Sequence, residues 1–355
     1  MKINKLYIVM TISLISQILF AQTIMIHTGN GISQFNLSEI DSITFSTTGT
    51  PSDNFISGHA LTQDEIWSGD IILKGDIVIP EGITLTIQPG TVIKAVKSNL
   101  DWEQGYEDET VDIYLKGKII ANGTAANPIV LTVDSDTPEA GDWGGIGCSS
   151  GSSVEMKYCC IAYAEYGFFV YSSSTQDLNL ENCMFVYTNT GIVDFGGYST
   201  LSHCTFINSM FGYDRWTEYR TTNISNCVFK NNSIFDVEAL ESYNKITIES
   251  SNFLENGWYN LYISDFSYPV NVTIDANNCY GISQTEDNGC GTITVTNPLT
   301  TPVENAGCGF EIDGLPGILT KSLPSQSLRK LNSSEIAERE KMIKAHNEKD
   351  KNYSR

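Results

Sequence analysis

The chain has 355 residues, 41% of them hydrophobic and 18% charged, with 29 Gly, 10 Pro and a formal charge of −21. That apolar content excludes a disordered chain, the glycine count excludes collagen, and the acidity excludes a general nucleic-acid binder, which would repel the phosphates. The charge is also uneven: residues 22–320 hold ten basic and 37 acidic residues, whereas the tail 321–355 holds nine basic and five acidic. Cations, or neutral or cationic ligands, are therefore the expected partners, and an anionic membrane surface is not.

Residues 1–21 read as a signal peptide. Lys2 and Lys5 form a basic start, Leu6 to Phe20 is mostly apolar, and Ala21 offers a small residue before Gln22. The sequence thus predicts an exported protein: periplasmic, cell-surface or extracellular. No later run approaches ~18 consecutive apolar residues, so no transmembrane segment is expected after cleavage. Residues 22–45 follow as a short N-terminal β module. Alternation of Ile24 and Ile26 with Ile32 and Phe35 predicts a hairpin bending at Gly29-Asn30-Gly31. Residues 46–56 read as a linker.

The middle of the chain repeats itself. MKYCCI, LENCMF, LSHCTF and ISNCVF carry Cys159, Cys183, Cys204 and Cys227 in one column, which Ser251 and Asn277 are expected to continue. Three residues earlier stand Met156, Leu180, Leu201, Ile224, Ile248 and Ile274; two residues later stand Ile161, Phe185, Phe206, Phe229, Phe253 and Cys279. Eight residues after the column, Gly167, Gly191 and Gly212 recur before Phe235 and Tyr259 replace them. A repeat of this length, made of short β-branched and aromatic runs broken by Asn, Ser and Gly, fits one solenoid coil and leaves no room for a helix. Stacked coils turn the columns into interior ladders, put Asn182, Asn208, Asn226 and Asn231 near bends, and suggest positive φ at the glycines.

With these columns in view, the chain resembles the right-handed parallel β-helix proteins of the pectate-lyase-like superfold, as secreted by bacteria. The segment 57–95, with Trp67, Gly75, Gly82, Leu85, Ile87, Pro89, Gly90 and Ile93, is similar to their opening coils. GKIIANGTAANPIVLT (117–132), DWGGIG (142–147) and NNCYG (277–281) resemble later ones. The resemblance implies an all-β solenoid over residues 57–315. The charged tail 316–355 is expected to be partly helical or disordered.

The resemblance also brings enzymes into question, because many such folds cleave polysaccharides. Polygalacturonase-like enzymes use Asp-Asp, Gly-His-Gly and Arg-x-Lys motifs, and residues 57–315 hold none of them. Uronate elimination needs a base and a cation to stabilise the enolate. Between residues 22 and 320 the only arginines are Arg215 and Arg220. Asp214, Arg215, Trp216, Glu218 and Tyr219 form the best ligand-binding cluster, since aromatic faces stack on sugar rings and charged groups bond hydroxyls. A solvated loop with a local salt bridge is the alternative. Trp258, Tyr259, Tyr262 and Tyr268 could continue an aromatic strip, or pack between coils. Asp101, Glu103, Glu107, Asp108, Glu109 and Asp112 cluster hard oxygen ligands of the kind Ca²⁺ takes. Their spacing is not that of an EF-hand, and a solvated acidic loop remains the alternative. Asp134, Asp136, Glu139 and Asp142 form a second acidic loop. The histidines are scattered, and a disulfide among Cys279, Cys290 and Cys308 is possible. The sequence reading is an exported, non-enzymatic β-helix protein with a binding or adhesive role. A polysaccharide or cell-surface glycan is the favoured ligand, and a polysaccharide lyase or glycoside hydrolase is the alternative.

Overall fold

The computed structural model describes residues 23–28, 31–36, 55–97, 110–171, 178–195, 198–216, 221–240, 243–263 and 271–311. The leader, the tail from 312 and the acidic run 101–109 lie outside the described residues. Two compact units divide at Ser52/Asp53. In the first, strands Thr23–Thr28 and Gly31–Asn36 pair antiparallel with Ile24 opposite Phe35, so the expected hairpin is present. Gly31 belongs to its second strand and not to the bend.

The second unit is a parallel β-helix. Its strands fall into three sheets, which the chain visits in turn. Sheet I has nine strands from Phe55–Ile56 to Asn252–Leu254; sheet II has ten from His59–Ala60 to Thr285–Glu286. Sheet III has ten, from Glu65–Trp67 to Gly291–Thr296. Among the described residues the first strand of the solenoid is Phe55–Ile56, inside the segment expected to be linker. Strands this short cannot bury themselves alone. Stacking at the usual ~4.8 Å strand spacing gives each residue an equivalent neighbour on the next coil, and alternate side chains point inward.

The interior ladders are as expected over most of their length. Ile161, Phe185, Phe206, Phe229 and Phe253 are in register, and the rings of Phe185, Phe206 and Phe229 stack at 4.9 Å. Met156, Leu180, Leu201, Ile224 and Ile248 form the matching ladder on sheet III. The expected frame then slips. Ile248 pairs with Ala276, not Ile274, and Asn252 bridges to Tyr280, so Cys279 and not Asn277 stands above Ser251. A slip of two residues keeps every side chain on its face, so hydrophobic alternation cannot detect it.

Two ladders of non-glycine residues with positive φ make the corners. Tyr158, Asn182, His203, Asn226, Ser250 and Asn278 lie between sheets III and I; Tyr163, Tyr187, Asn208, Asn231 and Glu255 lie between sheets I and II. Asparagine recurs because its short amide tolerates this left-handed region better than most side chains. The glycine column has a different cause. Gly167, Gly191 and Gly212 do not have positive φ; a Cβ on Gly191 would lie 2.4 Å from the Gly212 carbonyl oxygen and 2.7 Å from the Phe206 ring. Glycine is there because the strand passes close to the phenylalanine ladder. One extra residue after Phe229 shifts the next members, so Asp236 and Asn260 continue this column, not Phe235 and Tyr259.

After the last strand, residues 303–310 turn back across the outer surface of sheet I. Val303 exchanges two hydrogen bonds with the Asn252 side chain (2.7 and 3.1 Å), Gly307 N donates to Asn226 O at 2.8 Å, and Cys308 N donates to Thr205 Oγ1 at 3.0 Å. Phe310 reaches the ring of Tyr158. No disulfide links the nine cysteines, so the bond expected among Cys279, Cys290 and Cys308 is not formed in this structure. Truncating Phe206, fully buried between two stacked rings, removes the centre of the ladder. The Phe206→Ala variant should lose about 3–5 kcal/mol of stability, read as a lowered midpoint in denaturant titration followed by circular dichroism.

Candidate functional site

Arg215 and its neighbours lie on a strand of sheet II, Phe211–Arg215, and alternation divides them. Arg215 stands in register with Asp194 and Ala239, in a column whose other members, Leu115, Cys148, Val170 and Ile263, belong to the core. It points inside the helix and is 0% exposed. This corrects both sequence readings of Arg215, which had placed it on a solvated loop or a sugar-binding surface.

Inside, Arg215 Nη1 donates to Asp194 Oδ2, forming a fully buried ion pair. The same carboxylate oxygen accepts from Ser199 Oγ at 2.5 Å and from Tyr213 Oη at 2.6 Å, and Tyr213 Oη also meets Thr222 Oγ1 at 2.8 Å. Burial alone would lower the Arg215 pKa, but Asp194 and Tyr213 more than offset it and hold the guanidinium charged. Burial, with Asp194 adding to it, pushes the Tyr213 phenol up, so it stays a neutral donor.

A second interior acid is Asp236, in the glycine column. Its two oxygens accept from Asn232 Nδ2 at 2.9 Å and Asn260 Nδ2 at 3.0 Å. Burial nevertheless raises its pKa to about 8 against those two donors. Asn232 belongs to a polar ladder at the same corner: Ser209 N donates to Asn232 Oδ1, and Asn232 N to Asn256 Oδ1. Asp194 and Asp236 thus place two carboxylates inside an otherwise largely apolar interior.

Asp214 and Trp216 face the other way, onto the outside of sheet II. The outer column there runs Tyr114, Gly147, Phe169, Val193, Asp214, Glu238, Tyr262 and Glu286. Tyr114 and Phe169 of this column join Tyr171, Phe195 and Trp216 in one apolar cluster, with Phe195 and Trp216 rings 5.4 Å apart. This surface is closed: Asp214 is 1%, Glu238 2% and Trp216 7% exposed. Trp216 is thus a packing residue in this structure and offers no free ring face. Glu218 and Tyr219 lie outside the described residues.

The closure ends at the C-terminal coils. Phe235 stacks on Tyr262 at 4.3 Å, Tyr259 lies 5.2 Å from Tyr262, and Trp258, Tyr259 and Tyr262 are half-buried. Tyr262 stands between Glu238 and Glu286 in register. Glu238 and Glu286 carry no motif or repeat signature, and only the register with Asp214 and Tyr262 brings them to this strip. Tyr268 lies outside the described residues.

The acidic run has one described member. Asp112 begins a strand, is fully buried and donates its backbone N–H to Asp76 Oδ1 at 3.1 Å. It does not sit on an open acidic loop. Of the second acidic loop, Asp142 pairs with Lys97 at 2.7 Å. Among the described residues no group of three or more His, Cys, Asp or Glu could hold a metal ion.

Outside sheet III the surface is different again. Asn179, Thr200, Asn223 and Thr294 are exposed, and Lys118–Glu155, Lys157–Glu181 and Lys245–Asp275 pair there between coils. Such solvated pairs contribute little to stability.

Comparison with known proteins fits this architecture. Residues 61–180 match a family model described as a pectate-lyase like beta helix domain. No curated protein and no solved structure matches the chain. The matched third of the chain covers the early coils, and the same registers continue beyond it to Thr296. The fold is therefore a parallel β-helix, and its early coils, residues 61–180, are similar to a pectate-lyase like beta helix domain.

Removing one member of the interior pair leaves a buried charge. Asp194→Ala should cost about 3–5 kcal/mol, and the double variant Asp194→Leu/Arg215→Met much less; thermal melts of the three proteins check this. For Asp236 the folded pKa lies above the unfolded one. Its stabilising contribution is complete below about pH 4 and is lost as pH rises towards 8, with a slope of up to about 1.4 kcal/mol per pH unit. The melting midpoint of the wild type should therefore fall across that range relative to Asp236→Asn.

Proposed function

We propose that the protein is an exported, non-catalytic β-helix that binds a polysaccharide or cell-surface glycan on the outside of sheet II at its C-terminal coils. The observation that supports this reading is the half-buried strip of Trp258, Tyr259 and Tyr262 with Glu286 in register beside Tyr262. Flat aromatic faces pack against sugar rings, and the Glu286 carboxylate, one coil on from Tyr262, accepts from sugar hydroxyls. The export signal read at residues 1–21 supports an extracytoplasmic setting for such a ligand. A net negative surface favours neutral or cationic glycans over polyuronates.

The second reading, glycoside hydrolysis, has one observation in its favour. Asp214 and Glu238 are adjacent in register on the same outer column, and glycosidases work with two carboxyl groups flanking the scissile bond. Both residues are closed from solvent here, which favours binding at the more open strip.

A glycan array probed with the full chain should give hits on neutral or amino-sugar polymers. Tyr262→Ala and Trp258→Ala should each weaken them about tenfold, which is about 1.4 kcal/mol. An array without hits removes the binding reading. Release of new reducing ends from a hit glycan, abolished by Glu238→Gln, would establish the hydrolase instead.

A further inference from the structure

The cysteine column has a property that packing alone does not require. Cys159, Cys183, Cys204 and Cys227 each follow a corner residue with positive φ: Tyr158, Asn182, His203 and Asn226. The same backbone turn therefore aims all four side chains alike. The residues that follow them, Cys160, Met184, Thr205 and Val228, are in register. The four thiols thus stand on successive coils, at most 2% exposed, inside the core.

Their surroundings repeat as well. Cys159 Sγ donates to Ala121 O at 3.2 Å, Cys183 to Met156 O at 3.5 Å, and Cys204 and Cys227 to Leu180 O and Leu201 O at 3.7 Å. Cys204 N also donates to Cys227 Sγ on the next coil at 3.3 Å. Adjacent strands place Cα atoms about 4.8 Å apart, within the roughly 4.4–6.8 Å that a disulfide spans. Ser251 occupies the next place, so Cys279 is two coils from Cys227, at about 9.6 Å and out of reach.

We propose that this column is an oxidative cross-linking site, in which Cys159 bonds to Cys183 and Cys204 to Cys227, stapling two pairs of consecutive coils. Of the neighbour pairings, this one consumes all four thiols; bonding Cys183 to Cys204 would strand the outer two. The oxidant is a disulfide, small or protein-borne. One thiolate attacks it, forming a mixed disulfide and releasing one thiol; the neighbouring thiolate then attacks the bound sulfur and expels the second thiol. Each staple thus transfers two electrons to the oxidant, and the protons of the two cysteines end on the released thiols. The fully buried column gives an oxidant no path once the coils have closed, so the exchange takes place as they assemble.

The test starts from reduced, unfolded full-length chain, refolded with and without a glutathione/glutathione disulfide mixture. Alkylation in denaturant should then count five thiols instead of nine, with a mass lower by four hydrogens. Peptide mapping should recover the 159–183 and 204–227 links. The Cys183→Ser variant should leave Cys159 alkylatable and keep the 204–227 link. Nine alkylatable thiols after oxidative refolding, or links to Cys279, Cys290 or Cys308 in place of these, would overturn the proposal. The wild-type map decides the matter even where the variant does not fold.

Discussion

The structure depends on hydrogen bonding between strands of consecutive coils, which imposes one repeat distance on the whole solenoid. Whatever residue occupies a place in one coil meets its equivalent about 4.8 Å away in the next. Side chains that gain from meeting their own kind are therefore favoured. Phenylalanine stacks face to face along one ladder, buried thiols line a second, and asparagine holds the left-handed corners along two others. The glycines of sheet II follow from the same constraint, because the phenylalanine ladder leaves no space for a Cβ beside it.

Charge obeys this rule less easily, since like carboxylates one coil apart repel. Inside the helix the chain offsets this in two ways. Asp194 meets Arg215 on the next coil and gathers two hydroxyl donors besides. Asp236 meets two amide side chains instead of a cation, and burial then shifts it towards its neutral form. On the outside of sheet III, lysines alternate with acids between coils. Outside sheet II, Asp214 and Glu238 are neighbours on a surface closed from solvent.

The sequence carried the solenoid and the ladders plainly, because residue type and spacing repeat together over several coils. It carried coil length poorly. A single extra residue after Phe229 moved Asp236 into the glycine column, and a two-residue slip put Cys279 above Ser251, yet neither disturbs the alternation of apolar and polar residues. The site was less legible. Asp214, Arg215 and Trp216 look like one cluster in sequence, but a strand sends the middle one into the core and the other two outward. Tyr262 and its flanking carboxylates come from three separate coils, and nothing local marks them as neighbours.

A stack in which each layer touches only the next can fray from either end, one layer at a time. The segment 303–310 changes that. By fastening the coil of Asn252 to those of Asn226, Thr205 and Tyr158, it acts as a brace running across the layers. Loss of the last coils then also strips contacts from layers deep in the stack. A linear array thereby acquires the all-or-none melting of a compact globule over the braced layers, and the N-terminal coils keep the freedom to open separately.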